Sequence, residues 1–320
     1  MKKETQRTNN PYKYSDTNKR YQTFDYYLRA LFGEKCAKIS LDAGFTCPNI
    51  DGTLARGGCI YCSGGSSGAE CGGSLAEQYA RGREVMAGKW GCHKFIPYLQ
   101  AHTNTYASPD VLKKVYDEAA SFDGAVMLAV ATRADCLSDD ALEVLSETAE
   151  KIPLMVELGL QTSNDATAKL INRGHSFEDF KEGYGRLRKA APAAKIAVHL
   201  INGLPGESRE DMIKSASDVA DLAPDIVKLH LLHVIKGTPL AAMWERGDYV
   251  PMEQPDYVSV VCDQLEILPP ECAIGRVTGD ARADELLAPL WCRRKTAVAN
   301  DIDKELFRRG TYQGIYYKQK

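Results

Sequence analysis

The chain has 320 residues, enough for one large core or one core with an appended lobe. Hydrophobic residues make up 44% and charged residues 26% of it, the balance of a globular protein; no apolar run is long enough to span a bilayer, so a membrane protein is not expected. The net charge of −3 predicts no strong global attraction to nucleic acid, although a local basic patch remains compatible with it.

Residues 1–20 are polar without a clear apolar period and are expected to form a loose N-terminal arm that orders on a partner. Met1 to Asn10 lacks the apolar stretch of a signal peptide, which points to a cytoplasmic location and a reducing environment. From Tyr21 to Phe32, Phe24, Tyr27, Leu28 and Leu31 recur at helical spacing. Strand-like segments follow at 38–42, 95–101, 125–131, 154–160, 195–201 and 226–232, each short and apolar with β-branched or aromatic residues. Helical patterns at 74–88, 109–121, 139–150, 164–172, 176–190 and 209–222 separate them. Ser108-Pro109 places proline at a first helical position, and Ser138-Asp139-Asp140 offers a cap with an acidic first turn. Such alternation predicts an α/β fold with a parallel sheet and right-handed crossovers. Six βα units do not close an eight-stranded barrel, so an open, partial (β/α)6 barrel is expected over residues 21–239, with ligand loops at the C-terminal ends of its strands. Beyond about residue 240 the alternation weakens. Residues 256–268 read as a helix and 284–304 as one or two more, giving an α-rich extension over 240–320 that closes or lines the barrel mouth.

Three cysteines carry the chemistry. Cys47, Cys59 and Cys62 stand in a glycine-rich loop directly after the first strand segment, with eleven residues between the first two and two between the others. Three thiolates from one loop suit a four-iron cubane with one iron left open to a small molecule. A structural zinc site is the rival: it needs a fourth ligand, and Cys71, His93 or His102 can supply one. The other cysteines, Cys36, Cys92, Cys136, Cys262, Cys272 and Cys292, are scattered singly and show no disulfide framework.

Every later strand runs into a polar or glycine-rich loop. These loops hold Thr103-Asn104-Thr105-Tyr106, Thr132-Arg133-Ala134-Asp135, Gln161-Thr162 with Asn172-Arg173-Gly174-His175, Asn202-Gly203-Leu204-Pro205-Gly206, and His230 to Lys236. A cationic arginine near an open iron can hold an amino-acid carboxylate, preferably bidentate. Gln161, Thr103 and Asn104 offer hydrogen bonds to an amino acid or ribose, and glycines at 203 and 206 allow close backbone approach to a flat base. Taken singly, these residues read more simply: His199 and His230 as core histidines, Gly203–Gly206 as a turn, Arg173 as a helix-end charge. The basic group Arg293, Arg294 and Lys295, directly after Trp291, reads either as solvated charge or as an aromatic-plus-cation platform for a splayed-out nucleotide.

Together these motifs, with Arg20-Tyr21-Gln22-Thr23-Phe24, Lys38 to Asn49, Gly57 to Cys62, Arg276-Val277-Thr278-Gly279-Asp280 and Ala288-Pro289-Leu290-Trp291, resemble the radical SAM superfamily. Within it they are similar to the Elp3-like branch that holds the YtqA- and YhcC-type proteins. The resemblance spans most of the chain. It implies a [4Fe–4S] cluster on Cys47, Cys59 and Cys62, with Tyr61 as the aromatic preceding the third cysteine. It also implies S-adenosylmethionine (SAM) held by Gln161 and Arg173, with His199 near its ribose. Thr103, Asn104 and Gly203 join these as candidate cofactor contacts, and the residues acting after hydrogen abstraction stay unassigned. The cysteine spacing is wider than the superfamily's usual one, a feature of this branch, and Ala134 stands where the branch usually has proline. For YtqA-type members the implied substrate is tRNA, its wobble-uridine carboxymethylaminomethyl group being converted to aminomethyl, with an electron donor whose identity the sequence does not carry. A radical enzyme acting on a small molecule or protein is the alternative, and a zinc-binding structural or nucleic-acid-binding module a third.

Overall fold

The computed structural model describes residues 10–63, 72–279 and 281–318. Residues 1–9 of the expected arm, Cys71 and Asp280 lie outside these. Helix α1 (Phe24–Phe32) leads into β1 (Cys36–Leu41), followed by the short α2 (Pro48–Asp51) and by α3 (Leu75–Trp90). The alternation continues through β2 (Lys94–Leu99), α4 (Pro109–Ala120), β3 (Leu128–Thr132), α5 (Asp139–Lys151) and β4 (Leu154–Gln161). After α6 (Asp165–Leu170) and α7 (Phe177–Ala190) come β5 (Lys195–Asn202), α8 (Arg209–Asp221) and β6 (Ile226–Leu231). The remainder holds β7 (Val234–Ile235), α9 (Pro239–Glu245), α10 (Gln254–Ile267), β8 (Ala273–Arg276), β9 (Leu286–Ala288) and α11 (Lys295–Arg309).

All six expected strands form, and they pair in chain order as parallel neighbours. A seventh, β8, joins β6 in parallel, so the C-terminal region extends the sheet as well as flanking it. Its four residues, Ala-Ile-Gly-Arg, are too short and too polar to announce a strand. Gly275 is needed there, because a Cβ would stand 2.8 Å from Lys228 Cγ on the adjacent strand. The expected helical stretch 284–304 is only partly helical. It begins with β9, antiparallel to β7, and a short turn over Leu290–Arg293 before α11 starts.

The outer face of the sheet carries Ile39, Leu41, Phe95, Leu99, Val130, Val156, Leu158, Val198 and Leu229, buried under the crossover helices. Covering both faces explains why these strands read as nearly continuous apolar runs. On the inner face the lower ends of the strands contribute Cys36, Ile96, Met127, Met155, Ala197, Ile226 and Ala273. Leu28, Phe24 and Tyr27 of α1 pack on this layer, so α1 closes the bottom of the curl. Thr23 caps α1 with its side chain and pairs with Ile274 of β8. Capping boxes Ser176/Asp179 and Ser208/Asp211 begin α7 and α8, and Ser138 caps α5.

The described part of the N-terminal arm is not loose. Tyr12 is 4% exposed, and its hydroxyl donates to Pro270 O at 2.6 Å. Asn10 Nδ2 donates to Lys19 O at 2.7 Å, and Arg20 Nη1 to Thr311 O at 3.2 Å. Tyrosines at 12 and 14 give a polar segment enough apolar surface to dock between the C-terminal elements, which outweighs its polar average. Among the described residues no helix is long and apolar enough to cross a membrane.

Candidate radical SAM site

The cysteine loop leaves β1 at its C-terminal end and is clasped to the loop that follows α6. Cys47 is the N-cap of α2 and is partly exposed; Cys59 is buried and Cys62 exposed. Asn49, fully buried, donates from Nδ2 to Asn172 O and Arg173 O, both at 2.8 Å, and lies 3.8 Å from Cys59 Sγ. In return Asn172 Nδ2 donates to Gly58 O at 2.7 Å, and the Ile60 amide donates to Ile171 O at 3.1 Å. Gly174 is dictated by this clasp: its φ is +83°, and a Cβ would stand 2.5 Å from Asn49 Oδ1. The loop is therefore held by its own hydrogen bonds.

Two buried arginines face this loop. Arg133, 3% exposed, is bidentate to Asp135 at 2.9 and 2.7 Å while its Nη1 has no partner. Burial works against its charge and Asp135 holds it, with Cys136 and Cys47 close by. Arg173, 5% exposed, donates from Nη2 to Gly159 O, and its Nε has no partner. His175 Nε2 is a third buried atom without a partner; burial and then Arg173 push this imidazole down to about 4, so it stays neutral. Burial and then Cys59 push the Tyr61 phenol well up, with Arg173 opposing. Tyr61 packs against the apolar cluster that includes Ile171, Leu204 and Leu240.

The cofactor candidates separate into two groups. Gln161, in the left-handed region at φ +77°, and Arg173 meet over Gly159: a Cβ there would stand 2.8 Å from Gln161 Nε2 and 3.1 Å from Arg173 Nη2. Asn104 is engaged otherwise. Its Nδ2 donates to Leu99 O, Ala101 O and Ala131 O at 2.9–3.0 Å, which ties β2 to β3 and leaves only Oδ1 without a partner. The Thr103 amide donates to Thr46 O at 3.1 Å, bracing the start of the cysteine loop. Gly203 has φ +83°, and the space a Cβ would take is filled by Met252 Cγ at 2.9 Å, so that side of the glycine is packed rather than open. His199 points its Nε2 at Glu157 Oε2, 3.0 Å away, inside the sheet. Arg133 and His175 stand in strand-end loops noted in the sequence, but neither they nor Glu157, Lys38 and Lys228 were given a role there. The last three show in the sequence only as isolated charges in apolar runs.

Among the described residues no three His, Cys, Asp or Glu side chains gather for a single metal ion. A cubane makes a different demand, because each thiolate takes its own iron and the sulfurs stand further apart. The observed residues fit such a group: three cysteines on a braced loop, with two buried arginines beside them that keep unpartnered donor atoms. Cationic donors suit both the anionic cluster and a carboxylate.

A parallel, open, curled sheet with a three-cysteine loop at the C-terminal end of its first strand defines a class, and comparison with known proteins agrees. Residues 53–219 match the model described as the radical SAM superfamily, and residues 224–308 that described as the radical SAM C-terminal domain. This chain belongs to the radical SAM superfamily. It is 45% identical to YtqA of Bacillus subtilis over 314 residues, 97% of each chain. It is also 27% identical to the tRNA uridine(34) acetyltransferase of Methanocaldococcus infernus over 275 residues, covering 71% of this chain and 50% of that one. The structure of Methanocaldococcus infernus Elp3 superposes with a TM-score of 0.66 at 22% identity, over 87% of this chain and 64% of that one, which shows the shared fold. The superfamily's cofactors are a [4Fe–4S] cluster and SAM, and membership sets aside the zinc-module reading.

Proposed function

We propose that this chain binds a [4Fe–4S] cluster through Cys47, Cys59 and Cys62, cleaves SAM reductively, and converts the carboxymethylaminomethyl group of a tRNA wobble uridine to aminomethyl. The observation that carries the site is the clasp through Asn49, which fixes the cysteine loop against Arg173 at one end of the sheet. The substrate rests on the resemblance to YtqA-type proteins and on relatives whose name specifies uridine 34 of tRNA. When bound, the cluster supplies the electron that splits SAM into methionine and a 5′-deoxyadenosyl radical. The chain's own part is to hold and shield. Three thiolates leave one iron for SAM, Arg173 and Gln161 hold its amino-acid end, Tyr61 walls the loop, and α1 closes the curl beneath. The test is anaerobic turnover with reductant, SAM and tRNA carrying the modification. Aminomethyluridine appearing together with 5′-deoxyadenosine supports the reading; 5′-deoxyadenosine with an unchanged nucleoside removes tRNA as substrate.

If Arg173 serves SAM and not the cluster, Arg173→Gln keeps its iron while SAM affinity falls by about 1.5–3 kcal/mol, the loss of a charge-assisted contact. Equilibrium dialysis with labelled SAM measures this, and iron loss in the variant counts against the placement.

Arg293, Arg294 and Lys295 are exposed. Lys295 lies close enough to His233, which follows β6, to add to the lowering of that imidazole by burial. Trp291, for which a stacking platform was one of two readings, is a packing residue: its Nε1 donates to Met252 O at 3.1 Å and its ring lies 5.6 Å from that of Tyr257. The cations remain a candidate phosphate-binding group. Replacing all three with Gln should weaken tRNA binding and lower the slope of affinity against salt, by roughly one unit for each phosphate no longer neutralised. A filter-binding salt series reads both; an unchanged slope assigns them to solvent.

A further inference from the structure

Beneath the Arg173–Gly159 contact, the inner face of the sheet carries a buried charged cluster that the cofactor chemistry does not use. Glu157 lies two residues before Gly159 on β4 and therefore on the same face, about 7 Å further down the strand. It is 1% exposed and takes four partners from four other strands. Lys38 of β1 pairs with Oε1. Lys228 of β6 pairs with Oε2, as does the Tyr98 hydroxyl of β2 at 2.6 Å, and His199 of β5 lies 3.0 Å from the same atom. Both ammonium groups also face the Tyr98 ring, at 4.3 Å for Lys38 and 5.1 Å for Lys228.

The charges do not balance. Two lysines, with Arg276 nearby, meet one carboxylate, while burial holds His199 neutral, at about 4, and pushes His230 well down. His230 lies 5.2 Å from His199, ring to ring, and its buried Nε2 has no partner. Burial and the neighbouring Lys38 push Lys228 down to about 7, against the pull of Glu157. Without a further anion the cluster relieves its excess positive charge through Lys228; an anion arriving beside it would keep both ammonium groups charged.

We infer that Lys38 and Lys228, braced by Glu157 and Tyr98, receive the carboxylate of the substrate's side arm inside the sheet. This rests on the proposed reaction. A side arm on a base can enter the curl alone, whereas a backbone phosphate brings its two sugars with it, so a carboxylate is the anion this position suits. The same pair then separates substrate from product. The carboxymethylaminomethyl arm carries a carboxylate that offsets its own protonated amine and faces the lysines; the aminomethyl product keeps only an ammonium, which they repel.

The test uses the cluster-loaded protein with SAM and no reductant, and fluorescent anticodon stem-loops bearing carboxymethylaminomethyluridine, aminomethyluridine or uridine. The wild type should bind the first about tenfold more tightly than the second. Lys38→Met and Lys228→Met should each bring the two within about twofold, and Lys228→Arg should keep the preference. Because Lys228→Met leaves Glu157 short of a partner, the paired variant Glu157→Gln/Lys228→Met removes both charges and must also lose the preference. Equal binding of all three stem-loops by the wild type, or a preference that survives in the Met variants, overturns the inference. Loss of SAM affinity in step with the preference overturns it too, assigning the lysines to the methionine carboxylate. If no stem-loop binds the wild type, the tRNA reading fails separately. Acetate titration then decides the anion site: movement of the His199 and His230 ring nitrogens in the NMR spectrum, not reproduced by chloride and lost in the Met variants, sustains it, and no movement overturns it.

Discussion

Replacing Cys47, Cys59 or Cys62 with alanine should each yield a colourless protein without cluster iron and without SAM cleavage, while Cys71→Ala stays brown and active. Each of the three substitutions removes a thiolate outright, and a cubane held by two ligands does not persist under purification. The fold should survive, because the loop is braced by Asn49, Asn172 and the Ile60–Ile171 bond, none of which involves a cysteine side chain as its only support. Three of the remaining thiols make poor substitutes. Burial pushes Cys36 up to about 11, Cys262 to about 12 and Cys292 to about 11, so they stay protonated. Iron and sulfide analysis after anaerobic reconstitution reads the result, with circular dichroism as the check on folding. Full iron in any one of the three variants, or its loss in Cys71→Ala, breaks the ligand assignment.

Glu157→Ala should be the most destabilising single change in the sheet, by about 3–5 kcal/mol, since it leaves two lysines inside without their carboxylate. Denaturant midpoints measure it, and a loss below about 1 kcal/mol would show that solvent reaches the cluster. The pH dependence has a definite sign. Burial alone would raise the Glu157 carboxyl, but Lys228 and Lys38 hold it well below its usual value of 4.5. A carboxyl depressed in the folded state contributes stability above its unfolded value and loses it as pH falls through the folded one. The wild type should therefore lose stability below about pH 4.5 more steeply than Glu157→Gln. Lys228 adds a slope at the other end: with a folded value near 7 against 10.5, the unfolded chain binds more protons between them, and stability rises with pH across that window.

The six main strands were legible because strands buried on both faces must be nearly all apolar. The seventh was not, because a four-residue edge strand carrying Gly275 and Arg276 has no pattern to read. The cysteine loop stood out by its spacing, but spacing left a cluster and a zinc site open, and the resemblance chose between them. The clasp that positions the loop was not legible: Asn49 and Asn172 act through backbone carbonyls more than a hundred residues away. Glu157 shows the limit most plainly. One acid in the run Leu154–Gln161 carries no periodic signal, and its meaning comes from four residues that the sheet brings to it from four other strands. Asn104 errs in the other direction, since an amide in a polar loop suggests a ligand contact while the structure uses its donors to join two strand ends.

The nucleoside composition of tRNA from cells lacking this protein tests the central claim most directly. The account predicts that carboxymethylaminomethyluridine accumulates at the wobble position while aminomethyluridine and anything made from it disappear, and that wild-type protein restores them but Cys59→Ala does not. An unchanged wobble-uridine profile, or restoration by Cys59→Ala, would contradict it.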